Sequence, residues 1–135
     1  MKKLSFLLIT LLILLSACSG NSASLEDEWK LISYGDSASP TPALPNTETS
    51  INFGADGQFG GSVGCNTFGG EYTVSGDEVT FNGVFSTLMF CEGTMDQETV
   101  ILNMVSDQTL TFEVNGNQLT LTSADGSSVI VLERK

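Results

Sequence analysis

The 135-residue chain contains no histidine, and that absence excludes more chemistry than any residue present suggests. A Ser-His-Asp or Cys-His centre, a His-ligated zinc and the usual near-neutral proton shuttle all need an imidazole. Basic side chains are scarce too: five Lys and Arg stand against 16 Asp and Glu, a formal net charge of −11. Binding a phosphate backbone requires several cations, so no nucleic-acid partner is expected, and anionic lipid head groups are poor partners. The acidity reads as a solubilising surface. The chain also lacks an apolar run of the roughly 20 residues that a spanning helix needs.

Its longest apolar run, from Leu4 to Leu15, is broken only by Ser5 and Thr10 and follows Lys2 and Lys3. That is the layout of a secretory signal peptide. Leu15-Ser16-Ala17-Cys18 resembles the bacterial lipobox, which implies a diacylglycerol on the Cys18 thiol, cleavage before it, and acylation of the new amino terminus with chains such as palmitate. Residues 1–17 are therefore expected to be a signal peptide. Residues 18–24 are expected to be a lipidated cysteine with a flexible Ser-Gly-Asn-Ser-Ala-Ser tether. Two or three acyl chains at roughly 0.8 kcal/mol per buried methylene make a durable anchor. The expected location is the cell envelope, with a membrane partner through Cys18. Ser19 stands where inner-membrane retention favours Asp, so the outer membrane is favoured in a host with two membranes.

Removing the first 17 residues leaves 118, with three basic and 16 acidic side chains. Residues 25–135 are the length of one domain with one core. With Cys18 lipidated, Cys65 and Cys91 remain as an even pair in an oxidising compartment, where a disulfide is the default. Such a bond would contribute about 3.5 kcal/mol by restricting the unfolded chain. The alternative is a pair of catalytic thiols, with no His to activate either and no Cys-x-x-Cys spacing.

Trp29 to Tyr34 interleave apolar and polar residues as a first strand, with Trp29 and Leu31 on one face. Pro40, Pro42 and Pro45 make 35–49 a long surface loop, either functional or a plain connection. Ile51 and Phe53 alternate before an Asp56-Gly57 turn, and Phe59 and Val63 return through Gly60, Gly61 and Gly64, which suggest a bend or close backbone approach. Glu71–Val74 and Val79–Phe81 flank a further turn. Thr94 and Gln97 have the form of a capping box, with Asp96 and Glu98 at the positive end of the helix dipole. Val100, Ile101, Met104 and Val105 then share a face, so one helix is expected over 94–107, packed on the sheet. Leu110, Phe112 and Val114 alternate, Asn115-Gly116 turns, Leu119 and Leu121 return, and Asp125-Gly126 precedes an apolar Val129–Leu132. The Asp-Gly pairs match turn chemistry rather than a calcium loop, so no metal or cofactor is expected.

Trp29, the Gly64-Cys65-Asn66 element followed by Gly70 and Tyr72, Thr87-Leu88-Met89-Phe90-Cys91, and Glu98 in a helix resemble, in order and separation, the META domain of HslJ-like bacterial envelope proteins. Phe90 and Glu92 depart from the small residue and proline often beside that cysteine. The resemblance implies a mainly β fold: a small antiparallel curled sheet or incomplete barrel with one helix packed across it. It implies no catalytic residue, and it links the chain loosely to stress tolerance or secretion. Asn66 is expected to be a turn or cap residue beside the disulfide, the alternative being a ligand contact.

These readings converge on a non-enzymatic, lipid-anchored module for binding or chaperoning, with an apolar ligand or an envelope protein in a groove between helix and sheet. The first alternative is a stress-protective surface domain without a specific ligand. The remote one is a hydrolase built on Glu71, Asp77, Glu78, Glu92 and Asp96, whose chemistry would need two carboxyl groups facing one cleft.

Overall fold

The computed structural model describes residues 24–135; the expected signal peptide, Cys18 and the tether to residue 23 lie outside the described residues. The chain forms β1 (Asp27–Asp36), a two-residue β2 (Thr41–Pro42), β3 (Ser50–Phe53), β4 (Gln58–Ser62), β5 (Thr67–Ser75) and β6 (Glu78–Ser86). Helix α1 (Met95–Val105) follows, then β7 (Thr109–Asn115), β8 (Gln118–Thr122) and β9 (Ser128–Arg134). From β3 to β9 each strand pairs antiparallel with the next, and β1 pairs with both β3 and β9. The expected incomplete barrel is therefore corrected to a closed eight-stranded one, with β2 as an outer appendage to β1. Among the described residues, closure replaces the two long edges of an open sheet with short stretches that lack a neighbour on one side, such as the end of β6 beyond Thr80. The strand periods specify which residues face inward, but they carry no information about whether the last strand meets the first.

β1 makes closure possible. It buries Trp29 and Leu31 by simple alternation, and a register shift between Leu31 and Ser33 then turns Tyr34 inward instead of Ser33. Such a bulge bends a strand and increases its twist. Opposite it, a Cβ on Gly61 would collide with the carbonyl oxygen of Ser50. The expected close approach of backbones is thus realised where β3 meets β4.

The interior is filled. Phe53, Phe59, Phe68, Tyr72 and Phe81 pack with ring centroids 4.8 to 6.2 Å apart. Leu31, Leu119, Leu121, Ile130 and Leu132 complete the core from β1, β8 and β9. Each such side chain stabilises by roughly 1.5 to 3 kcal/mol through burial.

The two ends of the barrel differ. One holds the tight turns β3–β4, β5–β6 and β7–β8 and the chain's entry at Leu25. The other holds the longer connections, and α1 lies over it, burying Ile101, Met104 and Val105 in the core. The expected capping box is absent. Thr94 occupies the N-cap without a side-chain cap bond, and its hydroxyl donates instead to the Cys91 carbonyl at 3.2 Å. Gln97 is fully buried. Its amide nitrogen donates to the Val63 carbonyl and its amide oxygen accepts from Leu44 N–H at 2.8 Å. Two backbone groups of the barrel end thus took the side chain that a cap would have used. The helix stops at Ser106, after which Asp107 adopts φ 53° and its carboxylate accepts from Gly83 N–H at 2.9 Å. The long loop is tied down as well: Ala43 N–H donates to Ile32 O at 2.8 Å, and the buried Thr49 hydroxyl accepts from Leu31 N–H at 3.0 Å.

Candidate functional site

Seven of the residues singled out from sequence meet beside the first turn of α1. Glu98, only 2% exposed, directs one carboxylate oxygen at the backbone N–H groups of Cys65 and Asn66, at 3.0 and 2.7 Å. Its other oxygen accepts from the Asn66 amide nitrogen. Burial pushes the Glu98 carboxyl up, but the hydrogen bonds from the Asn66 side chain, Asn66 N–H and Cys65 N–H outweigh it and hold the group below its ordinary value. Asn66 then reaches the other way. Its amide oxygen accepts from the Thr87 hydroxyl at 2.8 Å and Met89 N–H at 2.7 Å, and its nitrogen donates to the Met89 carbonyl at 3.0 Å.

Asn66 therefore uses donors and acceptor together to read the main chain of the β6–α1 loop as a strand neighbour would. A disulfide joins Cys65 to Cys91, with Cα atoms 5.8 Å apart, and pins the far end of the same loop. Gly64 completes the knot, since a Cβ there would stand 3.0 Å from the Thr94 side chain. Met89 contributes its backbone to this knot, not its thioether.

Three singled-out residues lie elsewhere. Trp29 is a core residue whose indole N–H donates to Leu25 O at 2.9 Å, with the Arg134 guanidinium 5.0 Å from its ring centroid. Tyr72 closes the same end: its hydroxyl donates to Gly54 O at 2.8 Å, and burial, together with Glu26 and Asp56, raises its pKa. Gly70 has no room for a side chain against Asn82 O and the Phe59 ring, each 2.9 Å from a built Cβ. The remote carboxylate set is not gathered. Asp77 sits in the β5–β6 turn and Glu78 opens β6 at the entry end, Glu71 is exposed on β5, and Glu92 and Asp96 flank the start of α1. Asp125 serves its own turn, where the Ser123 hydroxyl and the N–H and hydroxyl of Ser127 hold its carboxyl down at about 2.

The loop tied by the knot, and Phe85 of β6 beside it, present apolar side chains to water. Leu88 is 98% exposed, Phe90 81%, Phe85 67% and Met89 57%. The Phe85 ring lies across Gly69, where a Cβ would stand 2.9 Å from it. Between this loop and the helix runs a groove of about 310 Å³, lined by Leu88, Met89 and Phe90 on one side and Met95, Thr99 and Leu102 on the other, with Asn66 and Glu98 among its lining. The expected groove lay between helix and sheet; here the barrel interior is occupied by side chains, and the open groove runs instead between the β6–α1 loop and the helix. Sequence reasoning did not single out Phe85, Leu88 or Phe90 as candidate residues. Their signal was available, because a run of large apolar residues beside a cysteine has no polar alternation to place it on a half-buried strand.

With that geometry described, the family can be assigned. The META domain profile matches residues 23–135. The chain belongs to the META domain family. Solved structures share the fold seen here: an NMR structure of a protein from Burkholderia xenovorans aligns at TM-score 0.67 and 17% identity, covering 82% of each chain. A second NMR structure aligns at TM-score 0.59 and 25% identity, covering 78% of this chain and 87% of the other. The crystal structure of a DUF4847 family protein from Bacteroides vulgatus aligns at TM-score 0.58 and 17% identity, covering 82% and 93%. No curated protein matches the chain.

Proposed function

We propose that this META domain protein is a non-enzymatic docking module of the cell envelope, held to a membrane by acyl chains on Cys18 and engaging an envelope partner through the groove beside α1. The observation that carries this reading is the water-facing apolar set Leu88, Met89 and Phe90, on a loop whose main chain is bonded by Asn66, with Phe85 of β6 beside it. Large apolar side chains clustered at a surface mark interaction sites, and a buried charged knot that fixes a loop's main chain lowers the entropy lost when that loop binds. Position supports it too. The chain enters the domain at Leu25 and the groove lies toward the other end of the barrel, so an anchor at Cys18 would leave the groove facing away from its membrane. A role in secretion or stress tolerance would follow from the identity of the partner.

The test is site-specific photo-crosslinking of the full chain in its own envelope. A crosslinker at Leu88 or Phe90 should give one discrete adduct, and one at the exposed Glu113 of β7 should give none. Equal labelling at all three positions, or none at any, would favour a protective surface domain with no specific ligand. Intact mass of the extracted protein checks the anchor: the chain should begin at Cys18 and carry acyl groups, and Cys18→Ser should abolish both.

A further inference from the structure

The proposed docking groove continues into an open piece of sheet edge, and the charge around it selects what could add there. β6 pairs with β7 only from Glu78 to Thr80. Beyond that, Phe81 N–H is taken by Gln108 O and Gly83 N–H by the Asp107 carboxylate. Val84, Phe85 and Ser86 have β5 on one side and no strand on the other, and Ser86 already lines the groove. Here the ladder between neighbouring strands stops well short of the end of β6 at Ser86. An unpaired edge is a template for an extended segment, with main-chain hydrogen bonds giving affinity and alternate side chains giving specificity. Here those side chains would meet Phe85, Leu88 and Phe90.

Charge sets the sign of the partner. From Leu31 to Leu132 the chain carries twelve carboxylates and not one Lys or Arg. Its only described cations, Lys30, Arg134 and Lys135, sit at the entry end, where Arg134 pairs with Asp27 and Lys135 with Glu28. The ionisable side chains nearest the groove are carboxylates, Glu98 in its lining and Glu92 and Asp96 exposed beside it, and charge of one sign speeds encounter with the opposite charge and repels its own.

Resting on the docking reading above, we infer that the occupant is an extended protein segment in which apolar residues alternate with Lys or Arg, added as a strand to β6 at Val84–Ser86. The full lipidated chain, in nanodiscs of phosphatidylcholine with empty discs as control, is titrated by fluorescence anisotropy with an eight-residue alternating Lys-Val peptide. Three comparisons follow: the matching Glu-Val peptide, the Lys-Val peptide N-methylated at alternate residues, and 0.5 M NaCl. Glu-Val and N-methylated peptides should each bind at least tenfold more weakly, and salt should weaken Lys-Val binding about fivefold.

Equal binding of Glu-Val overturns the cationic partner. Equal binding of the N-methylated peptide overturns strand addition. In both cases, sensitivity to the Leu88→Ser, Phe90→Ser double variant would show that docking itself stands. A double variant that binds every peptide as the parent does sinks the docking reading. Dimers that the same double variant abolishes would assign the surface to a second copy. Tighter binding to phosphatidylglycerol vesicles than to the peptide would assign it to lipid. Either result overturns the proposal.

Discussion

The two ends of the barrel are closed by different physics. At the entry end, short turns with left-handed glycines such as Gly57 and Gly116 reverse the chain, and exposed ion pairs and the Trp29 indole finish the job. At the helix end, buried polar side chains do the closing: Gln97, Glu98 and Asn66 are each at most 3% exposed and together satisfy backbone groups from three separate segments. Local closure tolerates loss of a single contact. The helix end is a network in which every member leaves a buried partner stranded when removed. The apolar display is mounted on that second kind of end.

The largest test of this contrast is the disulfide. Replacing both Cys65 and Cys91 with Ser should cost about 3.5 kcal/mol in urea unfolding, the value expected for a closed loop of this length. Glu98→Ala comes next, at about 3 kcal/mol, because it strands the N–H groups of Cys65 and Asn66 in a buried site. If Glu98→Ala is instead no worse than a surface change, the distinction between the two ends collapses.

Acid sharpens the same comparison. The folded Glu98 carboxyl titrates below its unfolded value of 4.5, so its stabilisation is present above that pH and is lost as pH falls from there through the folded pKa. The melting temperature of the parent should fall over that window, and the part due to this group should vanish in Glu98→Gln. At the entry end, Arg134→Ala removes a partly exposed ion pair with Asp27 and a contact with the Trp29 ring, and should cost only about 1 kcal/mol. Smallest of all, Leu88→Ser should leave stability within about 0.5 kcal/mol of the parent, since the side chain touches solvent.

The same contrast explains what was legible in the residues. Turns at Asp56-Gly57, Asn115-Gly116 and Asp125-Gly126, the inward faces of β3, β7 and β8, and the helix stripe of Ile101, Met104 and Val105 all follow from neighbours in sequence. β5 and β6 came out longer than their apolar alternation suggests, because Gly69, Gly70 and Gly83 interrupt the pattern without interrupting the strands. The knot was legible only as a set of residue identities: Glu98 lies 32 residues from Asn66, and nothing local says that a glutamate in a first helical turn will be buried. The capping box failed for the related reason that Val63 and Leu44, both distant in sequence, competed for Gln97 and won. Barrel closure likewise depends on β1 and β9, which stand at opposite ends of the domain sequence.

The pairing of β1 on both sides also has a mechanical side. Were the chain held through Cys18 as proposed, force would reach the domain along β1, which is bonded to β3 over Asp27–Trp29 and to β9 over nearly its full length. Ladder bonds run across the strands, so a pull along β1 loads many of them in parallel and does not peel them singly. A tug transmitted from a bound partner would therefore be resisted in shear, and the domain could act as a stiff link between what it grips and where it is moored.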